Sequence, residues 1–159
     1  MKTWIALAGS LLIAGPAAAA DTQAAWEGFL TVTSSTAQCS GVGGTSVSNT
    51  EVSIYRPKIK STDTNTFLTI LYSRAAIAFQ NSSETTVKQM AGSGNYSGDG
   101  INSRGKAFSY TSSYTGFKIS PSPVGAGTTN VMITGTINNM WNTTGCNIGF
   151  KATYTKRID

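Results

Sequence analysis

Trp26-Glu27-Gly28-Phe29-Leu30-Thr31-Val32-Thr33 and Cys146-Asn147-Ile148-Gly149-Phe150-Lys151-Ala152-Thr153-Tyr154-Thr155 carry the clearest alternation in the chain. In the first stretch Trp26, Gly28, Leu30 and Val32 alternate with Glu27, Phe29, Thr31 and Thr33. In the second, Cys146, Ile148, Phe150, Ala152 and Tyr154 alternate with polar residues and Gly149. A period of two belongs to a pleated strand with one face buried. Cys39 lies just past the first strand and Cys146 opens the last one. If the two strands pair antiparallel with Cys39 facing Cys146, Trp26 falls opposite the C-terminal end, and the strands match in length. Joining the first strand to the last closes a meander into a barrel, which removes exposed edges.

The intervening sequence supports this reading. Shorter strands are expected over 52–56, ended by Pro57, and over 67–72, 75–80 and 130–137, with a weak one over 85–90. Residues 106–110 and 114–119 read as two strands or one bent strand. Clusters of Gly, Ser and Asn over 40–50, 61–66, 92–105, 120–130 and 138–145 read as loops. β-branched and aromatic residues dominate, and no window of useful length has helical periodicity. The expected fold is therefore all-β: a single-domain, antiparallel, up-and-down β-barrel of about eight strands with its first and last strands paired. A Greek-key β-sandwich is the alternative.

The first twenty residues read as an address. Lys2 supplies a positive start, residues 4–14 are apolar, Gly15-Pro16 breaks the run, and Ala18-Ala19-Ala20 fits a small-x-small cleavage site. That order marks a secretory signal peptide, and the apolar run is too short for a transmembrane helix. The domains are thus 1–20, signal peptide, and 21–159, one all-β domain. Removing twenty residues, Lys2 among them, from a 159-residue chain of formal charge +5 leaves 139 residues at +4. The expected location is secreted or periplasmic. In such a compartment Cys39 and Cys146 read as a disulfide.

Composition excludes several functions. There is no histidine, so neither a Ser-His-Asp nor a Cys-His mechanism is possible, nor a histidine-liganded zinc. Two cysteines do not make a four-thiolate metal site. Neither Ser-x-x-Lys nor Gly-x-Ser-x-Gly occurs. The carboxylates are dispersed, although Glu51 and Asp99 could in principle meet across a sugar bond. No enzyme activity, cofactor or metal is expected. The stretch Gly92-Ser-Gly-Asn-Tyr-Ser-Gly-Asp-Gly100 lacks the Lys-Ser/Thr of a phosphate loop and reads as a hairpin turning at Asp99-Gly100.

What remains is binding. Trp141 lies among Asn139, Asn142 and threonines, and Tyr96 lies in the glycine-rich stretch. An aromatic ring among amides suits stacking on a sugar or an amphipathic molecule. Trp141 equally suits a plug closing one barrel end. A shared mouth would set Trp141 and Tyr96 beside Asn139, Asn142 and the positive Arg104. Arg56, Lys58 and Lys60 alternate along one strand face, and Lys156-Arg157 ends the last strand. Such groups protect a sheet edge or meet an anionic glycan, lipid headgroup or nucleic acid. Secretion and the modest charge disfavour nucleic acid, and no integral membrane span is expected. The sequence-level function is an exported soluble β-barrel binding protein for a small molecule or glycan. The alternatives are a structural or adhesion-type surface module without a ligand pocket, or a small outer-membrane barrel.

Overall fold

The structure is a computed structural model and describes residues 23–63, 66–72, 75–80, 92–102 and 107–157. Residues 1–20, read above as a signal peptide, and the weak strand expected over 85–90 lie outside the described residues. Among those described, eight antiparallel strands form a closed barrel: β1 (Trp26–Ser35), β2 (Thr50–Arg56), β3 (Phe67–Tyr72), β4 (Ala75–Gln80), β5 (Gly92–Asn102), β6 (Ala107–Ser120), β7 (Asn130–Asn138) and β8 (Ile148–Lys156). Each pairs with its neighbours in the chain, and β8 returns to pair with β1. The expected up-and-down barrel is the observed one.

Closure occurs in a register slightly different from the expected one. Trp26 pairs with Lys156, short of the chain end. Two local features cause the offset. A bulge interrupts β1 between Val32 and Ser34, and Cys39 sits in a single 3₁₀ turn, Ala37–Cys39, beyond the strand. The Cys39–Cys146 disulfide is present, with Cα atoms 4.5 Å apart. Thr36 reinforces the same junction. Its hydroxyl donates to the Gly145 carbonyl (2.6 Å) and accepts from the Asn147 amide (3.0 Å), and its own amide donates to the Asn147 carbonyl (3.0 Å).

Alternation sorts the side chains as the sequence implies. Trp26, Leu30 and Val32 of β1, Tyr55 of β2, Leu68 and Ile70 of β3, Ile133 of β7, and Phe150 and Tyr154 of β8 are all buried inside. In β6 both Tyr114 and Phe117 are buried, although they stand three positions apart. A strict period of two would turn one of them outward. The register slips between Thr115 and Lys118, with Gly116 in the left-handed region (φ 63°), and the extra residue returns Phe117 to the inner face. The Phe117 ring then lies 4.6 Å from Tyr114 and 5.1 Å from Phe150.

The loop expected over 92–105 is a correction. Residues Gly92–Asn102 are strand β5, and Asp99-Gly100 is not a turn, because Asp99 pairs with Ser109 inside the β5–β6 ladder. The glycines explain both the misreading and the strand. Gly92, Gly94, Gly98 and Gly100 pair with Phe117, Tyr114, Tyr110 and Phe108, respectively. Each β5 glycine thus stands across from a large β6 residue, the small-against-large pairing that a curved sheet uses.

Gly135 of β7 plays the same part where atoms are visible. It pairs with Phe150, and a Cβ there would collide with the Phe117 ring. Gly135→Ala is expected to cost about 1–3 kcal/mol by overpacking. Gly127→Ala meets no atom within 4 Å and should be nearly neutral. Urea titration of both variants checks this; equal midpoints would refute the packing argument.

Candidate functional site

The barrel has two unlike ends. At the upper end lie the β1–β2 connection, the β7–β8 connection and the disulfide. At the lower end lie the start of β1, the β2–β3 and β6–β7 connections, and the end of β8.

Trp141, Asn139 and Asn142 belong to the upper end, in the β7–β8 connection around a short turn, Met140–Asn142. All three have left-handed backbones (φ 55°, 53° and 57°), a strained run for non-glycine residues. Local bonds hold it. The Asn139 side-chain carbonyl accepts from the Gly145 amide (2.9 Å), and the Asn139 amide donates to the Asn147 side chain (3.2 Å). The half-buried Trp141 donates its indole N–H to the Gly43 carbonyl (3.0 Å) and packs 5.2 Å from the Tyr72 ring. Gly44 abuts Tyr72 so closely that a Cβ would strike its ring. Trp141, Tyr72 and the Gly43-Gly44 backbone together cover the upper end.

Tyr96 lies in β5, not in a loop, paired with Ser112. Asn95 pairs with Ser113, and Ser113 with Asn138, the last residue of β7. Tyr96 therefore stands one rung further toward the upper end. The structure brings Trp141, Asn139 and Asn142 into one connection and carries the Tyr96 backbone to the same end. Arg104 lies outside the described residues. Glu51 and Asp99 stand on β2 and β5, with two strands between them.

A different feature stands out on the outer wall. The cross-strand register places Leu71 (β3), Val52 (β2), Phe29 (β1), Thr153 (β8) and Met132 (β7) in one continuous row. Phe29 is 58% exposed, Met132 39% and Leu71 37%, and these are three of the four large apolar side chains exposed among the described residues. Around Phe29 and Met132 runs an open groove of about 390 Å³, lined also by Glu27, Ser120, Asn130, Thr153 and Thr155. The Thr155 hydroxyl donates to the Asn130 side-chain carbonyl (3.2 Å) on one margin. Toward the upper end the flanking row is Thr50, Thr31, Lys151 and Thr134, with the Thr31 and Thr50 hydroxyls 2.9 Å apart. The result is an exposed ring amid hydroxyl, amide and carboxylate groups. The sequence signal for it is an apolar residue of the wrong parity: Phe29 and Met132 both fall on the polar side of their strands.

The buried tyrosines are poor candidates for chemistry. Burial, then the Glu51 carboxylate, pushes the Tyr72 phenol upward; burial raises Tyr154, partly offset by its hydrogen bond with Ser53 (3.0 Å). Both stay protonated at neutral pH. No three of His, Cys, Asp and Glu gather among the described residues. No described helix is long and apolar enough to cross a membrane. In comparisons with known proteins, no family model, curated protein or solved structure matches the chain.

Proposed function

We propose that the chain is an exported, non-catalytic binding module that takes a glycan on its outer wall at Phe29. The exposed Phe29 ring in the groove beside Glu27, Asn130, Thr153 and Thr155 carries this reading. A sugar face stacks on an aromatic ring, while the hydroxyls around it need hydrogen-bonding groups at the margin. The upper end supports Trp141 as a plug, because its indole N–H is already engaged by Gly43. A disulfide closing the barrel suits an oxidising compartment. The outer-membrane alternative has little support. Such barrels present an apolar belt of about 25 Å outside and a polar interior. Here the described interior is apolar, and the outer apolar row is one residue deep among threonines, Glu27 and Lys151.

The test is a glycan array probed with the oxidised, signal-free protein, followed by titration of each hit. Phe29→Ser is expected to lower affinity about tenfold or more, the loss of one stacked ring and its buried apolar area, with an unchanged thermal midpoint. Retained affinity in Phe29→Ser with loss in Trp141→Ala would move the site to the upper end. An array without any hit would remove the glycan reading.

A further inference from the structure

The two basic groups in the sequence, about a hundred residues apart, meet at the lower end of the barrel. Tyr55 and Lys156 both pair with Trp26, on either side of β1. Arg56 and Arg157 each follow by one residue, so they flank Ala25 across two strand spacings, roughly 10 Å. The Gln23 side chain donates to the Arg56 and Pro57 carbonyls (3.4 and 3.1 Å), and the Arg157 amide donates to the Ala25 carbonyl (2.9 Å). Lys58 and Lys60 follow in the β2–β3 connection, whose shape is fixed by its own side chains. The Asp63 carboxylate accepts from the Ile59 and Lys60 amides (both 2.8 Å), and the Thr66 hydroxyl accepts from the Lys58 amide (3.0 Å). Asp63, the acid of this connection, is buried and occupied with holding the loop. Arg56, Lys60 and Arg157 are exposed, and Lys58 and Lys156 are half-buried.

Edge protection does not account for this cluster. β2 and β8 each have a partner on both sides, so the charges guard no open edge. We infer that the lower end is a docking surface for an anionic polysaccharide; it borders the Phe29 groove at Glu27 and Thr155 but rests on the basic groups and is independent of that reading. Arg56, Lys58, Lys60 and Arg157, held on a pinned loop and on the two strand ends that flank β1, offer charge at several points, as a polymer with repeated anions requires. A lipid surface fits less well, because stable docking on lipid calls for apolar side chains beside the cations. None of the exposed large apolar residues of the described chain, Phe29, Val47, Leu71 and Met132, belongs to the loops at this end. The exposed residues of the β6–β7 connection there include Pro121, Ser122, Pro123, Ala126 and Gly127.

The experiment measures binding of the oxidised, signal-free protein to dextran sulfate at about 50 and 300 mM salt, with neutral dextran as reference. Wild type is expected to bind dextran sulfate alone, and to weaken by at least about tenfold at the higher salt, as release of several counterions demands. The triple variant R56Q/K58Q/K60Q and the single variant R157Q should each weaken binding at low salt, the triple by about tenfold or more. Lys156 is left intact because its ammonium donates to the Ala126 carbonyl and lies over Trp26. K118Q/K151Q, which removes two wall cations, should leave binding within about twofold, as should Phe29→Ser. Unaltered thermal midpoints establish that the variants are folded. Equal weakening in K118Q/K151Q would reduce the effect to net charge and overturn the proposal. So would an absence of binding at low salt. Binding to phosphatidylglycerol vesicles without binding to dextran sulfate would overturn it in favour of a membrane.

Discussion

Removing the Cys39–Cys146 bridge is expected to cost about 2–5 kcal/mol, the usual range for a native disulfide in a small exported domain. The two cysteines are 107 positions apart, so the bridge constrains about two thirds of the 159-residue chain when unfolded. Chain entropy alone sets a ceiling near 4–5 kcal/mol for a loop of about 100 residues. The native junction is also held by other bonds, so little native-state loss should add to this unfolded-state effect. The three Thr36 hydrogen bonds to Gly145 and Asn147 persist without it. The suitable variant is Cys39→Ala/Cys146→Ala. Both sulfurs belong to buried residues, and serine would add buried hydroxyls that need partners. For a domain of this size the loss corresponds to a drop of about 7–17 °C in thermal midpoint. Wild type under reducing conditions should follow the double variant. A midpoint shift under about 2 °C, or two reactive thiols in native oxidised protein, would sink the argument.

The barrel was legible because its interior obeys one rule almost throughout. Residues 67–72, partly apolar on both faces, and the alternating residues 75–80 read as strands in sequence and are β3 and β4. β5 was not, because propensity was weighed above period. Its Gly, Ser and Asn content reads as loop, yet Gly92, Gly94, Gly98 and Gly100 keep an even spacing. Their meaning resides in β6, whose large residues stand opposite them, and that pairing is a long-range fact. β6 hid a second one. Its bulge at Gly116 breaks the period between Tyr114 and Phe117, which is why the segment read equally as two strands.

The candidate site was legible only as isolated anomalies. Phe29 and Met132 already stand on the polar side of their strands, and each alone is an ordinary exposed apolar residue. What makes them one surface is register: both pair with Thr153, from opposite sides of β8. Register depends on the bulges and turns of the closed sheet, so no local pattern announces it. The basic groups are similar. Arg56, Lys58 and Lys60 read as edge protection in sequence, and closure of the sheet removes that role.

Trp26→Ala is the second large effect, expected at about 3–5 kcal/mol, the range for deleting a buried aromatic. Trp26 is fully buried at the lower end, where it joins three parts of the molecule. Its backbone pairs with β2 and β8 at Tyr55 and Lys156. Its indole N–H donates to the Thr128 carbonyl (3.1 Å), tying β1 to the β6–β7 connection. The Lys156 ammonium lies 6.0 Å from the ring centroid, a contact worth roughly 0.5–1 kcal/mol. Trp26→Phe separates these contributions. Phenylalanine keeps most of the buried ring but leaves the Thr128 carbonyl without its donor, at about 1–3 kcal/mol. Residues 21–159 contain Trp26 and Trp141, so in protein prepared without residues 1–20 the blue-shifted part of the fluorescence should vanish in both variants while the Trp141 signal remains. Trp26 lies at the lower end and the disulfide at the upper, and among the described residues their hydrogen-bond and strand partners do not overlap. Trp26→Phe combined with Cys39→Ala/Cys146→Ala should therefore add to within about 0.5 kcal/mol. A Trp26→Ala cost below about 1 kcal/mol would refute its role as the lower plug. A coupling above about 1 kcal/mol would show that the two ends of the barrel act through one another.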